Sequence, residues 1–146
     1  MSIDIARVEQ MESQEFAAWV GSLSDDELRG ITGSVRERLL DYVFGAIPEA
    51  FQAERAGDGS ARIGFSITGD GGPDRYAVVV DNGTCTVEKN PEQEPGASLT
   101  LGLAEFLHLI VGTANPVTMV MFGKIKVAGE LAQVLAFQRW FEMPRA

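Results

Sequence analysis

Residues 103–141 constrain the fold more than any other part of the chain, because they combine three apolar helical runs with one short strand. Gly112 and Gly123 are placed to end helices, and Asn115-Pro116 supplies a helix cap followed by a first-turn proline. The segment carries more apolar surface than a small core needs and few groups able to do chemistry. It therefore favours a protein that holds an apolar ligand over one that transforms it.

The rest of the chain predicts helices first and strands afterwards. Residues 13–23 have apolar side chains at helical spacing, and Ser-x-x-Glu sequences beginning at Ser24 and Ser34 predict capping boxes for the next two helices. Pro48 predicts a kink or a fresh helix start. Alternating apolar residues then predict five strands, at residues 63–67, 75–80, 84–88, 98–101 and 124–128.

Two glycine-containing sequences between these strands predict turns. Asp81-Asn82-Gly83 is a strong signal for a tight hairpin. Asp70-Gly71-Gly72 resembles a phosphate or metal loop only in isolation, because it lies between strands and opens no helix. The helices are segregated from this hairpin array and the fifth strand follows two helices, so the sequence predicts an α+β fold with helices over one face of the sheet.

Length, charge and composition exclude several classes of protein. The 146 residues are enough for one domain, and the formal net charge of −9 disfavours nucleic acid and stable membrane insertion. Cys85 is the only cysteine, which excludes an internal disulfide and fits a reducing compartment. The first dozen residues lack the apolar run of a signal peptide, and no uninterrupted apolar run approaches the roughly 20 residues of a membrane span. We therefore expect a cytoplasmic protein.

Candidate catalytic and metal sites are weak. His108 shares a helix face with Glu105, which is an acid/base pair by residue type, but a solvated face explains it better because no nucleophile accompanies it. One cysteine and one histidine cannot form a structural zinc site. No basic residue lies beside Cys85 to activate its thiol. We expect no enzymatic activity, no metal and no cofactor.

The apolar helices are more informative. Residues 117–122 are apolar nearly all round, so this helix is expected to be buried or to face an internal cavity. Met119 and Met121 are adaptable side chains suited to a surface that must fit varied shapes. In the last helix, Gln138 aligns with apolar residues and is a candidate lone polar group at a pocket. An ordinary core with a dimer face explains the same pattern, and this alternative stays open.

Ten positions in this region carry a resemblance to a known family. They follow the spacing FL-x-L-x-x-G-x-x-NP-x(6)-GK-x-K-x-x-G, and in this chain they are Phe106, Leu107, Leu109, Gly112, Asn115, Pro116, Gly123, Lys124, Lys126 and Gly129. The pattern resembles the sterol carrier protein type 2 family of intracellular lipid carriers. The resemblance extends over roughly residues 34–141. It implies a five-stranded, mostly antiparallel sheet covered by helices that enclose an apolar tunnel.

The resemblance also implies an apolar ligand such as a fatty acid, acyl-CoA or sterol. The motif glycines and Asn-Pro build the scaffold, so the lining must be inferred from the apolar helices; the expected ligand-binding residues are Phe106, Leu109, Ile110, Met119, Met121, Phe122, Leu131, Leu135 and Gln138. Lys124 and Lys126 alternate outward on the fifth strand. They either meet a headgroup carboxylate or phosphate, or belong to a solvated strand face.

The chain departs from the family pattern in two ways. Residues 1–33 form a helical extension outside the resemblance, so we expect a lipid-binding domain at 34–146 preceded by a segment that lids the tunnel, packs on the sheet or forms a dimer. The last three residues, Pro-Arg-Ala, are not a peroxisomal address of the Ser-Lys-Leu type. We therefore expect a standalone member of bacterial type.

Two functions from different classes follow from these observations. The first is a non-catalytic intracellular carrier that sequesters one apolar ligand in an internal tunnel. The second is an accessory module that packs on a partner enzyme and presents a lipid intermediate to it. A homodimer is compatible with either function.

Overall fold

A computed structural model describes residues 4–69, 73–113 and 115–141. Its five-stranded sheet has the order β3-β2-β1-β4-β5, and the strands are β1 (Ala61–Thr68), β2 (Asp74–Asp81), β3 (Thr84–Lys89), β4 (Ala97–Gly102) and β5 (Ile125–Gly129). β1 and β4 run parallel, and the other three neighbouring pairs are antiparallel. The expected α+β fold with a mostly antiparallel sheet is confirmed.

The β2–β3 connection is the tight hairpin that the sequence predicts. Asp81 pairs with Thr84, which leaves a two-residue loop. Asn82 and Gly83 have φ values of 51° and 75°, and this left-handed pair is what a two-residue hairpin turn requires. The other predicted turn, at Asp70-Gly71-Gly72, lies outside the described residues.

Eight helices are described around the sheet: α1 (Ile5–Val8), α2 (Ser13–Gly21), α3 (Asp25–Arg29), α4 (Gly33–Ala50), α5 (Ala53–Ala56), α6 (Leu103–Ile110), α7 (Pro116–Met121) and α8 (Leu131–Arg139). The capping box at Ser24 is confirmed. The Ser24 hydroxyl accepts from the Glu27 N–H, and the Glu27 carboxylate accepts from the Ser24 N–H, each at 3.1 Å. The capping box predicted at Ser34 is wrong, because α4 begins at Gly33 with Thr32 as its N-cap, so that Ser34 lies inside the helix. Pro48 falls in the last turn of α4, where the helix is already ending.

One face of the sheet carries the core. Ile63, Phe65 and Ile67 of β1 are buried beneath the helices, and their cross-strand partners extend the same apolar face to both sides. Phe44 of α4 lies over this face with its ring stacked on Tyr76 at 4.0 Å between centroids. The other face of the sheet carries mostly polar or small residues, so amphipathic strands fix which side receives the helices.

The N-terminal helices pack onto the other helices. Val8, Phe16 and Leu28 are buried in the same core as the rest of the chain. The Tyr42 hydroxyl donates to the Met11 carbonyl at 2.7 Å, and α3 lies against α6. The division of the chain at residue 33 stays a prediction. Within the described ranges, no helix is both long enough and apolar enough to cross a bilayer.

Candidate functional site

The predicted lining residues lie on α6, α7 and α8 or directly after α7. Phe106, Leu109 and Met119 are buried, and Ile110 and Leu135 are half-buried. Leu131 and Gln138 belong to α8, but the positions of their side chains fall outside what the structure describes. Four of the nine residues, namely Phe106, Leu109, Ile110 and Met119, therefore lie in the core or pack against it. Their contact with a ligand stays a prediction.

Met121 and Phe122 are placed differently. Their side chains are 79% and 75% exposed, and Val117 on the same helix is 45% exposed. The expectation that this helix is buried or faces an internal cavity is therefore wrong for these residues. The reason is geometric: α7 is only six residues long and packs along β5, with Met119 as its buried anchor. Much of its apolar surface is left facing outward.

Aromatic rings fill the layer between the sheet and the helices. Phe106 lies 5.0 Å from Phe44 and 5.9 Å from Phe65, measured between ring centroids. Phe65 in turn lies 6.4 Å from Phe137 of α8, whose ring is 4.7 Å from that of Phe141. This aromatic layer, defined by these five residues, is continuous from α4 to α8, and it includes the predicted lining residue Phe106.

The C-terminal end of α8 is attached to the segment that follows α4. Phe141 pairs with Phe51 in an isolated β-bridge, and the Gln52 N–H donates to the Trp140 carbonyl at 2.7 Å. The indole of Trp140 lies so close to Gly59 that a Cβ there would approach it to 2.6 Å. At the other end of α8, Glu130 makes no side-chain capping hydrogen bond. The helix is thus held most firmly at its C-terminal end.

His108 contacts residues that its sequence neighbours do not reveal. Its Nε2 lies 2.7 Å from Asp25 Oδ1 on α3, and its Nδ1 lies 2.9 Å from the Thr113 hydroxyl. Glu105, the predicted partner, instead faces Arg29 at 3.6 Å. The acid/base pair of Glu105 and His108 is therefore not formed. The sequence held no signal for the contact with Asp25, since the two residues are 83 positions apart.

The Asp25–His108 contact has a measurable electrostatic consequence. The hydrogen bond from His108 lowers the pKa of Asp25 below its usual 3.8, with help from nearby positive charges. A lowered carboxyl pKa adds stability above pH 3.8, and this contribution is lost as the pH falls through the folded-state value. We expect an NMR titration to show a lowered pKa for Asp25 in the wild type and a higher pKa for this carboxyl in His108→Ala. Thr113→Ala, which spares Asp25, should leave the pKa lowered; an unshifted Asp25 in His108→Ala would contradict this assignment.

A separate cleft lies at the end of the sheet where β1 and β4 finish. Its volume is about 580 Å³, and it is lined by Arg29, Thr32, Arg36, Thr68, Gly69, Thr100, Leu101, Gly102, Leu103, Glu105, Gly123, Lys124 and Lys126. Two of these residues, Lys124 and Lys126, are the sequence-based candidates for contact with the headgroup of a ligand. The cleft therefore has four basic side chains and one acidic side chain in its lining, which the aromatic layer does not.

Arg36 forms one wall of this cleft and joins α4 to the sheet. Its guanidinium donates to Asp74 at 2.8 Å and to the carbonyls of Ile67 and Thr68 at 2.8 and 2.9 Å. Arg36 is not among the site residues predicted from the sequence. A signal was present, because an arginine three residues before Leu39 lies on the buried face of the same helix.

Burial shifts the pKa of two further titratable side chains in the described ranges. Burial raises the pKa of the Cys85 thiol to about 11, so it is poorly nucleophilic near neutral pH, as its sequence context predicts. Burial and a hydrogen bond to Asp41 likewise raise the pKa of Tyr76. Within the described ranges, no group of three or more His, Cys, Asp or Glu side chains is placed to hold a metal ion.

Comparison with known families now decides the identity of this fold. The SCP-2 sterol transfer family matches residues 44–142, which is more than half of the chain. The chain belongs to the SCP-2 sterol transfer family. The match covers β1 to β5 and the helices between them, and begins inside α4. SCP-2 domains are generally non-catalytic lipid carriers. No curated protein matches the sequence at a significant level.

Solved structures with the SCP-2 fold are also similar. Sterol carrier protein 2 from Yarrowia lipolytica in its apo form is 26% identical, with a TM-score of 0.53 over 75% of this chain and 88% of that one. The SCP2-like 2 protein of Aedes aegypti is 19% identical, with a TM-score of 0.54 over 70% of this chain and 94% of that one. The second likeness concerns the fold alone.

The same fold occurs inside a larger protein. A stereoselective inverting sec-alkylsulfatase from a Pseudomonas species has a TM-score of 0.64 and 12% identity over 70% of this chain. The SCP-2 chain described here spans only 16% of that sulfatase. The likeness therefore concerns one part of that protein, and it says nothing about shared activity.

Proposed function

We propose that this SCP-2 protein binds and transfers an apolar lipid without transforming it. The observation that carries the proposal is the aromatic layer between sheet and helices, because it offers a lipid chain or ring system a large apolar surface. The ligand class is a fatty acid, acyl-CoA, sterol or similar molecule. Burying such a ligand stabilises the complex by about 25 cal/mol for each Å² of apolar surface removed from water.

The proposed ligand takes its place beneath α8. Phe106, Leu109 and Met119 would form the inner wall, while Ile110 and Leu135, being half-buried, would lie at its margin. Because Phe137 now occupies the space beside Phe65, binding requires α8 to shift. Its attachment is strongest at Phe141 and Trp140, so the opposite end of the helix is the end we expect to move.

The contacts of His108 support a carrier over an enzyme. Asp25, His108 and Thr113 are connected in the order of a catalytic triad, but the Thr113 hydroxyl also lies within 3.3 Å of the His108 carbonyl, to which it can donate. The histidine ring nitrogens thus both have partners that tie α3 and the turn after α6 together. We infer a structural role for this network and no nucleophile at Thr113.

A single tryptophan can report ligand binding beneath α8. The chain has two, and Trp19→Phe leaves only Trp140, whose ring lies 6.4 Å from Phe137. Trp140 lies at the end of α8 that we expect to stay in place, but its neighbour Phe137 must move when a ligand enters. We therefore expect the Trp140 emission of this variant to change saturably when palmitate is added. The matched control, Trp140→Phe, keeps only Trp19 beside Phe16 and should show little change. Unchanged Trp140 emission with bound palmitate would place the ligand elsewhere.

One observation favours the accessory-module alternative. Val117, Met121 and Phe122 form an exposed apolar patch on and after α7. Such a patch, next to charged residues, is typical of a surface that contacts another molecule. An accessory module would use this patch to pack on a partner enzyme, and it would present a lipid intermediate within that complex without retaining lipid when isolated. The two functions therefore differ in whether the isolated protein retains a ligand.

A further inference from the structure

The cleft at the end of the sheet collects positive charge on an otherwise acidic protein. The whole chain has 12 Lys and Arg residues against 21 Asp and Glu residues. Four of those cations, Arg29, Arg36, Lys124 and Lys126, line this cleft, and Glu105 is the one acidic residue among the lining residues. A cation-lined concavity attracts anions locally even when the net charge is negative, because nearby charges and low-dielectric walls dominate the field there.

Two of the four cations are already engaged. Arg36 is satisfied by Asp74 and by backbone carbonyls. Arg29 lies within 4.0 Å of the carboxylates of Asp25, Asp26 and Glu105. These arginines shape the wall of the cleft, and their charges are largely compensated.

The two lysines differ from both arginines. Neither the Lys124 nor the Lys126 ammonium group makes an ion pair or hydrogen bond with any residue in the described part of the chain. Lys89 on the far edge of the sheet, by comparison, contacts Glu37 and Asp41 at 3.2 and 3.0 Å. The cleft therefore contains two ammonium groups whose N–H donors have no partner among the described residues.

Hydroxyl groups lie beside these lysines. Thr100 of β4 is directly opposite Lys126 of β5, so their side chains share one face of the sheet. Thr68 ends β1 on the same face, beside Gly102, and also lines the cleft. The space next to Gly123 is open, because a Cβ there would meet nothing within 4 Å, whereas the Arg36 guanidinium lies over Gly69 and the Glu105 carboxylate lies over Gly102. The Thr68 hydroxyl donates to the Leu101 carbonyl at 3.4 Å, so the donors that remain are the two ammonium groups and the Thr100 hydroxyl, and these suit the oxygens of an anion.

We propose that this cleft binds the phosphate or carboxylate group of an anionic ligand. Leu101 and Leu103 also line the cleft, and both are buried in the core, so the charged site meets the apolar interior. This contiguity suits an amphiphile whose headgroup stays in the cleft, a reading that rests on the proposed lipid function. A free inorganic anion requires the same donors and does not depend on that function.

Calorimetric titration of three proteins tests the site. The wild type, Lys124→Gln/Lys126→Gln and the charge-matched control Lys89→Gln/Arg38→Gln are each titrated at low salt with octyl phosphate, inorganic phosphate and 1-octanol. Lys124 and Lys126 are exposed and make no ion pair within the described residues, so the variant should unfold at the wild-type temperature. Because two charge-assisted contacts are removed, we expect the Kd for octyl phosphate to rise about tenfold or more in this variant and to change little in the control.

The three ligands separate the outcomes. If the wild type binds octyl phosphate more tightly than 1-octanol and the lysine variant does not, the result supports a headgroup site. If inorganic phosphate alone binds, and only when the lysines are present, the result supports a free-anion site. If 1-octanol fails to bind while inorganic phosphate binds through the lysines, the result supports the anion site and contradicts the proposed lipid function. Equal affinity of the wild type and the lysine variant for octyl phosphate, or no binding of either phosphate to the wild type, overturns the proposal.

Discussion

The Phe44→Ala variant is expected to lose about 3–5 kcal/mol of unfolding free energy, the usual cost of removing a buried phenylalanine ring. Phe44 is 1% exposed, and its ring contacts three others: it stacks on Tyr76 at 4.0 Å and on Phe106 at 5.0 Å, and meets Phe65 edge-on at 5.5 Å. Rings on three sides cannot collapse into the vacated space without losing their own contacts. Urea denaturation followed by circular dichroism measures the loss.

The matched control for this prediction is Phe122→Ala. The side chain removed is the same, but Phe122 is 75% exposed, so its loss should change the unfolding free energy by less than about 0.5 kcal/mol. A similar loss in both variants would mean that Phe44 does not hold the centre of the aromatic layer. A lipid ligand could also fill part of the cavity left at Phe44, so the measurement is made on delipidated protein.

The second large effect is expected at Gly129, where β5 ends. Its φ of +85° is a conformation that favours glycine, and a Cβ there would lie 2.4 Å from the Gly96 carbonyl oxygen and 2.9 Å from the Ala97 Cα. These are backbone atoms of the paired strand, so relief requires β4 and β5 to separate. We expect Gly129→Ala to lose about 2–5 kcal/mol of unfolding free energy, from backbone strain and overpacking together.

Gly123→Ala separates the two causes. Gly123 has a similar φ of +73°, but a Cβ there would meet nothing within 4 Å. Only the backbone strain remains, and its cost is roughly 1 kcal/mol. Thermal unfolding of the two variants side by side measures the difference. Equal losses would show that the close approach of β4 to β5 at Gly129 does not contribute.

Local sequence signals predicted the sheet and the hairpin because their causes are local. Alternation of apolar residues places Ile63, Phe65 and Ile67 on one face whatever the rest of the chain does. The left-handed pair Asn82 and Gly83 determines the β2–β3 turn in the same way. Helix capping was predicted less reliably. Ser24 caps its helix, but α4 begins before Ser34, because Thr32 is the extended N-cap residue and Gly33, with a positive φ, starts the helix.

The features that were predicted wrongly, or not predicted at all, depend on contacts between distant parts of the chain. The nearly all-apolar pattern in residues 117–122 cannot tell which sides of a short helix find a partner, and among the described elements β5 is the main one that packs along α7. The charged cleft joins Arg29, Thr68 and Lys126, whose proximity follows from strand order and not from spacing. The same holds for the contact of His108 with Asp25.

Retention of lipid by the isolated protein is the most direct test of the central claim. Native mass spectrometry of the purified protein, followed by organic extraction and lipid identification, measures it. A carrier is expected to show a stoichiometric adduct, either as purified or after incubation with fatty acid, acyl-CoA or sterol. A mass that stays that of the bare chain under all these conditions would contradict lipid carriage and favour the accessory module.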